Sequence, residues 1–373
     1  MYRCSPSLSC AFLVAALQLF ACSGSPSDNS TPTASGGANS AGANATSGAA
    51  GTPVTSNGGS AVGGAPIVSA GAGGSSAGSG GSLVTPGGGA SGSAGAPMMM
   101  SGGGASGMHP SGPSAGCSKP FTDPYVTAVQ HDMQVTVAAE FAAKYTTRKY
   151  YTQLPKSYDG TTPMPIVFYG QGCGQNGPEN SGFSDVFQKD NFILVQMIPV
   201  DGCYEAGKNG SLNSPDGPYF DQALAEVEAK YCIDKSKVYV AGWSSGAWIS
   251  TYLACTRGGV IRAIGTVAGG LQHDHGTCVG GAAAIMFIGN GDNENGVVDM
   301  VNGFDVGTGQ SRDIFVKTNN CSATSAAWDA AYPTCKIYGT CDSPVIWCPV
   351  DGGHGAGNDK LPGAAWKFWG SLK

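Results

Sequence analysis

Short apolar runs, most of them bounded by glycine or proline, recur along the chain from residue 146 onward. Such runs are typical of strands that are covered on both faces of a sheet. The predicted strands span 146–154, 165–170, 191–199, 237–243, 261–270, 282–288 and 344–350. Predicted helices lie at 218–231 after a capping Asp216, at 245–255, and around Trp366, Phe368 and Trp369. This alternation predicts an α/β fold with a mostly parallel central sheet and helices on both faces.

The segment ahead of these runs has a different composition. Residues 23–116 are almost entirely Gly, Ser, Ala, Thr, Asn and Pro, and Asp28 is their single charged residue. Because such a segment buries too little apolar surface to offset the entropy of ordering, we predict a disordered linker. One folded domain then spans 117–373, a usual size for an α/β domain. The formal net charge of −6 argues against a nucleic-acid partner.

The first 22 residues predict an export signal. Arg3 gives a positive start, and an apolar stretch over 11–20 follows it. Residues 19–22, LFAC, are similar to the cleavage site of bacterial lipoproteins, in which the cysteine carries the lipid. We therefore expect lipidation of Cys22, so that the linker tethers an extracellular domain to the outer face of a membrane. Free secretion after cleavage is the alternative, and no apolar run reaches the roughly 18 residues of a membrane-spanning helix.

Ten of the 13 cysteines lie in the predicted domain. An even number of cysteines in an exported domain predicts five disulfides, with their pairing left open. No paired Cys-x2-Cys spacing indicates a zinc site, and no metal is expected. The run DNENG at 292–296 lacks the full pattern of a calcium-binding loop.

A candidate nucleophile follows the predicted strand at 237–243. Residues 242–246 form a Gly-x-Ser-x-Gly motif between that strand and a predicted helix. In this context the serine occupies a sharp strand-to-helix turn, and the flanking glycines leave room for it. Ser244 is therefore the predicted nucleophile, and the backbone N–H of Ser245 is a candidate donor to an oxyanion.

A general base and an acid are expected later in the chain, in the order Ser, Asp, His. His354 lies directly after the last predicted strand among glycines, and it is the predicted base. Asp292 is the first carboxylate after the strand at 282–288, and it is the predicted acid. Asp299 is the runner-up and Glu294 a weaker candidate, whereas His131 lies ahead of the predicted sheet.

The glycine-rich loop after the strand at 165–170 offers the second oxyanion donor. The backbone N–H of Gln171 is the predicted donor, with that of Gly172 as its neighbour. A phosphate-binding loop is disfavoured because no lysine follows the glycines. His273 and His275 are potential metal ligands, but a third ligand is not evident, so we expect solvated loop residues.

These motifs together resemble a known group of enzymes. The segments RKYYTQLP, PIVFYGQGCGQN, AGWSSGAW, GNGD and VIWCPVDGGH are similar, in order, to feruloyl esterases of carbohydrate esterase family one, a group that grades into polyhydroxybutyrate depolymerases. The resemblance covers about residues 148–354, and its most specific part is 347–354. It implies an α/β-hydrolase fold and a triad of Ser244, Asp292 and His354, with no cofactor. Tyr169 stands where the family usually has histidine, and a linker stands where it often has a carbohydrate-binding module.

The function implied by the resemblance is hydrolysis of feruloyl esters of plant cell-wall polysaccharide such as xylan, through an acyl-enzyme. Trp243, Trp248, Tyr204 and Trp347 are candidates to line an aromatic acyl pocket, although core packing is the commoner role of such residues. Polyhydroxyalkanoates or short-chain acyl esters are the alternative substrates. A non-catalytic surface binding protein on a hydrolase scaffold is the alternative from another functional class.

Overall fold

The computed structural model describes residues 109–179, 182–207, 212–273, 276, 278–296 and 306–373. The predicted signal segment with Cys22, nearly all of the predicted linker, Asp299 and His275 lie outside the described residues. Within the described ranges, no helix is long and apolar enough to cross a membrane.

A single sheet forms the centre of the described chain. Its ten strands are β1 Val129–Gln134, β2 Thr147–Gln153, β3 Met164–Gly170, β4 Ile193–Met197, β5 Ile233–Trp243, β6 Ala263–Val267, β7 Ala283–Gly289, β8 Ser325–Asp329, β9 Tyr332–Tyr338 and β10 Val345–Val350. They lie in the order β1-β2-β4-β3-β5-β6-β7-β10-β9-β8. Every pair from β4 to β10 in this order is parallel. The outer strands β1, β2, β8 and β9 pair antiparallel.

Helices cover both faces of the sheet. They are α1 Ala142–Tyr145, α2 Gly182–Asp190, α3 Asp216–Lys230, α4 Ser245–Arg257, α5 Thr308–Thr318 and α6 Leu361–Gly370. Buried side chains of α3, α4 and α5 pack on one face, and those of α2 and α6 pack on the other. Successive side chains of β3 point to opposite faces of the sheet. Phe168 packs in the core beside α3, α4 and α5, and Val167 packs in the core beside α2 and α6. The parallel centre, the two helical layers and the serine turn between β5 and α4 form an α/β-hydrolase fold, which confirms the predicted fold class.

The sequence pattern misses strands at both edges of the sheet. β1 is a polar edge strand, and it carries His131, which the pattern placed ahead of the sheet. β8 and β9 form an antiparallel hairpin beside β10. Most of their side chains are exposed or half-buried, and Pro333 interrupts the apolar pattern. An edge strand has fewer side chains to bury, so the apolar run that indicates a central strand is weak or absent there.

Asp216 begins α3 but does not cap it, contrary to the prediction. Pro215 occupies the capping position and makes no side-chain hydrogen bond there. The Asp216 carboxylate is buried instead, and it accepts a hydrogen bond from Arg148 Nη2 at 2.9 Å. It also accepts the backbone N–H groups of Glu205 and Ala206 at 2.6 and 3.0 Å. The buried pair therefore ties β2 to the loop that follows β4.

The described residues directly ahead of Cys117, at the end of the predicted linker, contact the domain. Ser114 is buried, and its hydroxyl donates to the carbonyl of Tyr231 at 2.6 Å. The backbone N–H of Gly116 donates to a carbonyl of α3 at 2.8 Å. Small residues, which are typical of linkers, also suit such a close backbone contact with the domain.

The ten cysteines of the domain form five disulfides, as predicted. The pairs are Cys117–Cys232, Cys173–Cys203, Cys255–Cys278, Cys321–Cys341 and Cys335–Cys348. The Cys173–Cys203 bond joins the loop after β3 to the loop after β4. Both loops lie at the carboxyl edge of the sheet, where ligands bind in folds of this class.

Candidate active site

Three loops at the carboxyl edge of the sheet bring Ser244, Asp292 and His354 together. Ser244 follows β5, Asp292 follows β7 and His354 follows β10. β7 pairs with β10, and β6 separates β7 from β5. Because parallel strands end at the same edge of a sheet, residues far apart in the chain become neighbours there.

Ser244 lies on a strained turn between β5 and α4. Its φ of 56° and ψ of −120° fall outside the regions that non-glycine residues usually occupy. Its backbone N–H donates to the carbonyl of Val267 at 3.0 Å, which ties the turn to β6. A Cβ at Gly246 would collide with the carbonyl oxygen of Gly170 on β3. The motif glycine therefore allows the turn to approach β3 closely.

A chain of hydrogen bonds links the three side chains. His354 Nε2 lies 3.0 Å from Ser244 Oγ. His354 Nδ1 lies 3.1 and 3.3 Å from the two carboxylate oxygens of Asp292. Asp292 Oδ1 also accepts the backbone N–H groups of Glu294 and Asn295 at 2.8 and 3.0 Å. An imidazole in this position can accept the serine proton at Nε2 while the carboxylate holds Nδ1.

The surroundings move the pKa values of Asp292 and His354 in opposite directions. Burial raises the pKa of Asp292, but hydrogen bonds from His354 and from the N–H groups of Asn295 and Glu294 outweigh burial, so the net shift is downward. The hydrogen bond to Asp292 raises the pKa of His354 above its ordinary value, against the opposing effect of burial. The pair thus favours an ionised acid beside an imidazole that can carry a charge.

Backbone hydrogen bonds join the loop after β7 to the loop after β10. The Gly291 N–H donates to the carbonyl of Gly352 at 2.9 Å, and the Asn290 N–H donates to the carbonyl of Val350 at 2.8 Å. The Asn290 side chain also donates to the carboxylate of Asp351 at 3.3 Å. These bonds fix the two loops against each other and leave Asp292, rather than Asp351, in contact with the imidazole.

The two predicted oxyanion donors of the loop after β3 have different surroundings. The Gln171 N–H donates to the buried hydroxyl of Tyr204 at 3.4 Å. The Gly172 N–H has no hydrogen-bond partner among the described residues. Ser245 is the first residue of α4, so its N–H has no partner inside the helix. Of the candidate oxyanion donors, the N–H groups of Gly172 and Ser245 are therefore the two that remain available.

A row of glutamines across the sheet holds the loop after β3. Gln196 Nε2 donates to Gln153 Oε1 at 3.1 Å. Gln196 Oε1 accepts Gln171 Nε2 at 3.2 Å and the backbone N–H of Glu179 at 3.0 Å. These bonds, with the disulfide in the same loop, restrain the backbone next to the turn that carries Ser244. These hydrogen bonds cannot be predicted from sequence motifs, because the glutamines lie singly on three separate segments of the chain.

The domain is similar in sequence to curated fungal enzymes. It is 32% identical over 239 residues to the probable feruloyl esterase C of Aspergillus terreus, a match that covers 60% of this chain and 83% of the relative. The chain belongs to the feruloyl esterase family. It is therefore a carboxylic ester hydrolase, as predicted.

The esterase is also similar to two proteins with other names. It is 25% identical over 161 residues to poly(3-hydroxyalkanoate) depolymerase C of Paucimonas lemoignei, a match that covers 40% of this chain and 38% of the depolymerase. An acetyl xylan esterase from Aspergillus awamori superposes with a TM-score of 0.46 and 15% identity, over 66% of this chain and 100% of its own. No protein-family model matches the chain.

Two of the four predicted pocket aromatics lie next to the candidate triad of this esterase. The half-buried Trp243 ring has its centroid 5.6 Å from that of the His354 imidazole. A Cβ at Gly172 would lie 2.5 Å from the same ring, so Trp243 packs between the loop after β3 and His354. Trp248 Nε1 donates to Asn295 Oδ1 at 2.7 Å, in the loop that holds Asp292.

The other two aromatics are core residues, which corrects the prediction. Tyr204 is 1% exposed, and its hydroxyl donates to the carbonyl of Met197 at 2.7 Å. Trp347 is 7% exposed on β10 and packs in the core on the α5 side of the sheet, with Arg312 over its ring. Because both rings are buried, neither is accessible to an acyl group. The prediction was wrong because aromatic content in the sequence does not reveal which face of a strand or loop a ring occupies.

The remaining histidines and acids have other surroundings. Glu294, a weaker candidate for the acid, lies 3.6 Å from Nε2 of His354 rather than from Nδ1. His131 contacts Thr152 Oγ1 at 2.8 Å across β1 and β2, away from the serine. His273 is described while His275 is not, and no group of three metal-ligating side chains occurs in the described part of the chain.

Proposed function

We propose that this esterase hydrolyses feruloyl esters of plant cell-wall polysaccharide, such as xylan, through an acyl-enzyme on Ser244. The observation that carries the mechanism is the hydrogen-bonded chain from Ser244 Oγ through His354 to Asp292. Its distances suit proton transfer from the serine to Nε2 and orientation of the ring at Nδ1. Membership of the feruloyl esterase family supports the choice of acyl group.

Acylation begins when Ser244 Oγ attacks the ester carbonyl carbon and gives its proton to His354 Nε2. The backbone N–H groups of Ser245 and Gly172 donate hydrogen bonds to the resulting oxyanion. Gly172 replaces Gln171 in this role because the Gln171 N–H donates to Tyr204. The imidazolium then returns the proton to the alcohol oxygen, the carbon–oxygen bond breaks and the alcohol leaves.

Deacylation repeats these steps with water as the nucleophile. Water gives a proton to His354 Nε2 as its oxygen attacks the acyl carbon, and Ser244 Oγ takes that proton when the acyl bond breaks. The carboxylic acid then gives its proton to solvent water and leaves the site as the carboxylate. Asp292 remains ionised throughout and stabilises the imidazolium, and no cofactor takes part.

Polyhydroxyalkanoates and short-chain acyl esters are the second group of candidate substrates. The similarity to a poly(3-hydroxyalkanoate) depolymerase favours them, because the same triad chemistry serves any carboxylic ester. Acyl specificity depends on loops around the triad rather than on the triad itself.

A substrate panel separates these candidates. The full chain is assayed on methyl ferulate, p-nitrophenyl butyrate, feruloylated xylan and polyhydroxybutyrate film, beside Ser244→Ala and the control Ser325→Ala, which changes an exposed serine of the edge strand β8. We expect the highest kcat/KM on methyl ferulate, release of ferulate from xylan, loss of all activity in Ser244→Ala and retained activity in Ser325→Ala. Degradation of the film without release of ferulate would reassign the substrate.

We also propose that the esterase is exported and lipidated at Cys22. The five disulfides support export, because they form and persist in oxidising compartments. Expressed in a bacterial host, the wild type should partition into a detergent phase and Cys22→Ser into the aqueous phase. A wild type found in the aqueous phase would favour free secretion.

A further inference from the structure

A second carboxylate lies beside the predicted base, on the side where the substrate reacts. Glu294 Oε2 is 3.6 Å from His354 Nε2, the nitrogen that also contacts Ser244 Oγ. The Glu294 side chain is 57% exposed, whereas Asp292, at the opposite nitrogen, is 0% exposed. The Glu294 backbone N–H donates to Asp292 Oδ1 at 2.8 Å, which places this residue next to the imidazole. Its exposed carboxylate therefore lies beside the nitrogen that contacts Ser244, and not at the nitrogen that contacts Asp292.

The reacting oxygens of substrate and product must come close to this charge. In the serine mechanism proposed above, on which this step rests, Nε2 is within hydrogen-bond reach of the leaving alcohol and of the attacking water. That reach is about 3 Å, so each of these oxygens lies within about 6.5 Å of the Glu294 carboxylate. The water oxygen becomes one of the two oxygens of the carboxylate product. A neutral ester is thus converted into an anion next to the Glu294 carboxylate.

We propose that Glu294 is a selectivity group, which disfavours anionic ligands in the active site and hastens the departure of the carboxylate product. Repulsion between two unit charges at this separation weakens binding by about three- to tenfold in a hydrated site. A neutral ester feels no such repulsion, so Glu294 separates substrate from product by charge alone. The relevant substrates are neutral esters whose acyl half leaves as an anion.

Inhibition by a matched pair of ligands tests this role. Ferulate and ferulamide have nearly the same shape and differ in charge, and each is titrated against hydrolysis of methyl ferulate by the full chain. Glu294→Gln keeps the size of the side chain and removes its charge. Asp132→Asn, on the distant edge strand β1, removes one exposed negative charge elsewhere and serves as the control.

We expect Glu294→Gln to lower the inhibition constant of ferulate by about three- to tenfold at low ionic strength and to leave that of ferulamide unchanged. The difference should shrink in 0.5 M NaCl, and Asp132→Asn should change neither constant. Equal changes for both ligands would indicate a structural effect and overturn the proposal, as would no change for ferulate. If the wild type hydrolyses methyl ferulate in such a case, the proposed esterase function stands. No hydrolysis by the wild type would overturn both.

Discussion

Replacing Asp292 with Asn tests how the acid controls the tautomer of the predicted base. Asp292 Oδ1 accepts two backbone N–H groups at 2.8 and 3.0 Å, while Oδ2 lies 3.1 Å from His354 Nδ1. The carbonyl oxygen of an asparagine must take the place of Oδ1, because an amide nitrogen there would face two donors. Its amide nitrogen would then face Nδ1 and donate to it. Nε2 would carry the ring proton and could not accept a proton from Ser244.

The expected loss in kcat/KM is about 10³- to 10⁴-fold at neutral pH, the size of effect expected when a triad histidine is held in the wrong tautomer. That loss corresponds to about 4–5.5 kcal/mol of transition-state stabilisation. The fold should persist, because asparagine has the shape of aspartate and keeps one acceptor for the two backbone donors. Steady-state kinetics on methyl ferulate and a thermal melt followed by circular dichroism measure the two effects separately.

Two other aspartates serve as controls for this variant. Asp351→Asn changes a carboxylate that accepts from Asn290 and lies three residues before His354, and it should cost less than about tenfold. Asp299→Asn tests the runner-up for the acid, and it should also have little effect. The reasoning is refuted if Asp292→Asn loses less than tenfold, or if Asp299→Asn loses as much as Asp292→Asn is expected to lose.

Three further predictions concern pH, stability and the disulfides. Because only a neutral imidazole accepts the serine proton and Asp292 raises the pKa of His354, kcat/KM should fall with acid around a midpoint above the ordinary histidine value of 6.5; a pH profile with a lower midpoint would contradict this. Arg148→Met should cost about 3–5 kcal/mol in urea unfolding, since it leaves the Asp216 charge buried at 1% exposure. Lys360→Met, at an exposed ion pair, should cost less than about 1 kcal/mol. Replacing Cys173 and Cys203 by serine should lower stability by about 3–4 kcal/mol and also lower kcat, while the same change at Cys321 and Cys341, away from the site, should cost similar stability at unchanged kcat. Equal kcat in both disulfide variants would show that Cys173–Cys203 does not restrain the loop beside the nucleophile.

The central part of the fold could be predicted because its strands are buried on both faces. β3, β4 and β7 are continuous apolar runs, so the pattern locates them within a few residues. The same pattern does not locate β1 or the β8–β9 hairpin, since edge strands have an exposed side and no continuous run of apolar residues. The extra antiparallel hairpin also shows that alternation of strands and helices does not limit the width of a sheet.

The proximity of the three candidate triad residues could be predicted from the sequence for a physical reason. Ser244, Asp292 and His354 each follow a parallel strand directly, and such loops share one edge of the sheet. The aromatic residues follow no such rule. Tyr204 and Trp347 have the same chemistry as Trp243, but the local backbone turns them into the core, and a single sequence does not record that orientation.

Sequence motifs do not predict the hydrogen bonds that hold the loop after β3. Gln153, Gln171 and Gln196 come together only when β2, β4 and β3 pair in register. The contact between the Gln171 N–H and the Tyr204 hydroxyl likewise depends on the path of two loops joined by a disulfide. That contact is what shifts the proposed second oxyanion donor from Gln171 to Gly172.

Covalent trapping of the nucleophile tests the central claim most directly. The full chain is treated with a fluorophosphonate, and its modified peptide is identified by mass spectrometry while activity on methyl ferulate is followed in parallel. We predict one equivalent of adduct on Ser244, loss of activity in proportion to labelling, and no labelling of Ser244→Ala. An adduct on another residue, or activity that survives complete modification of Ser244, would contradict the proposed mechanism.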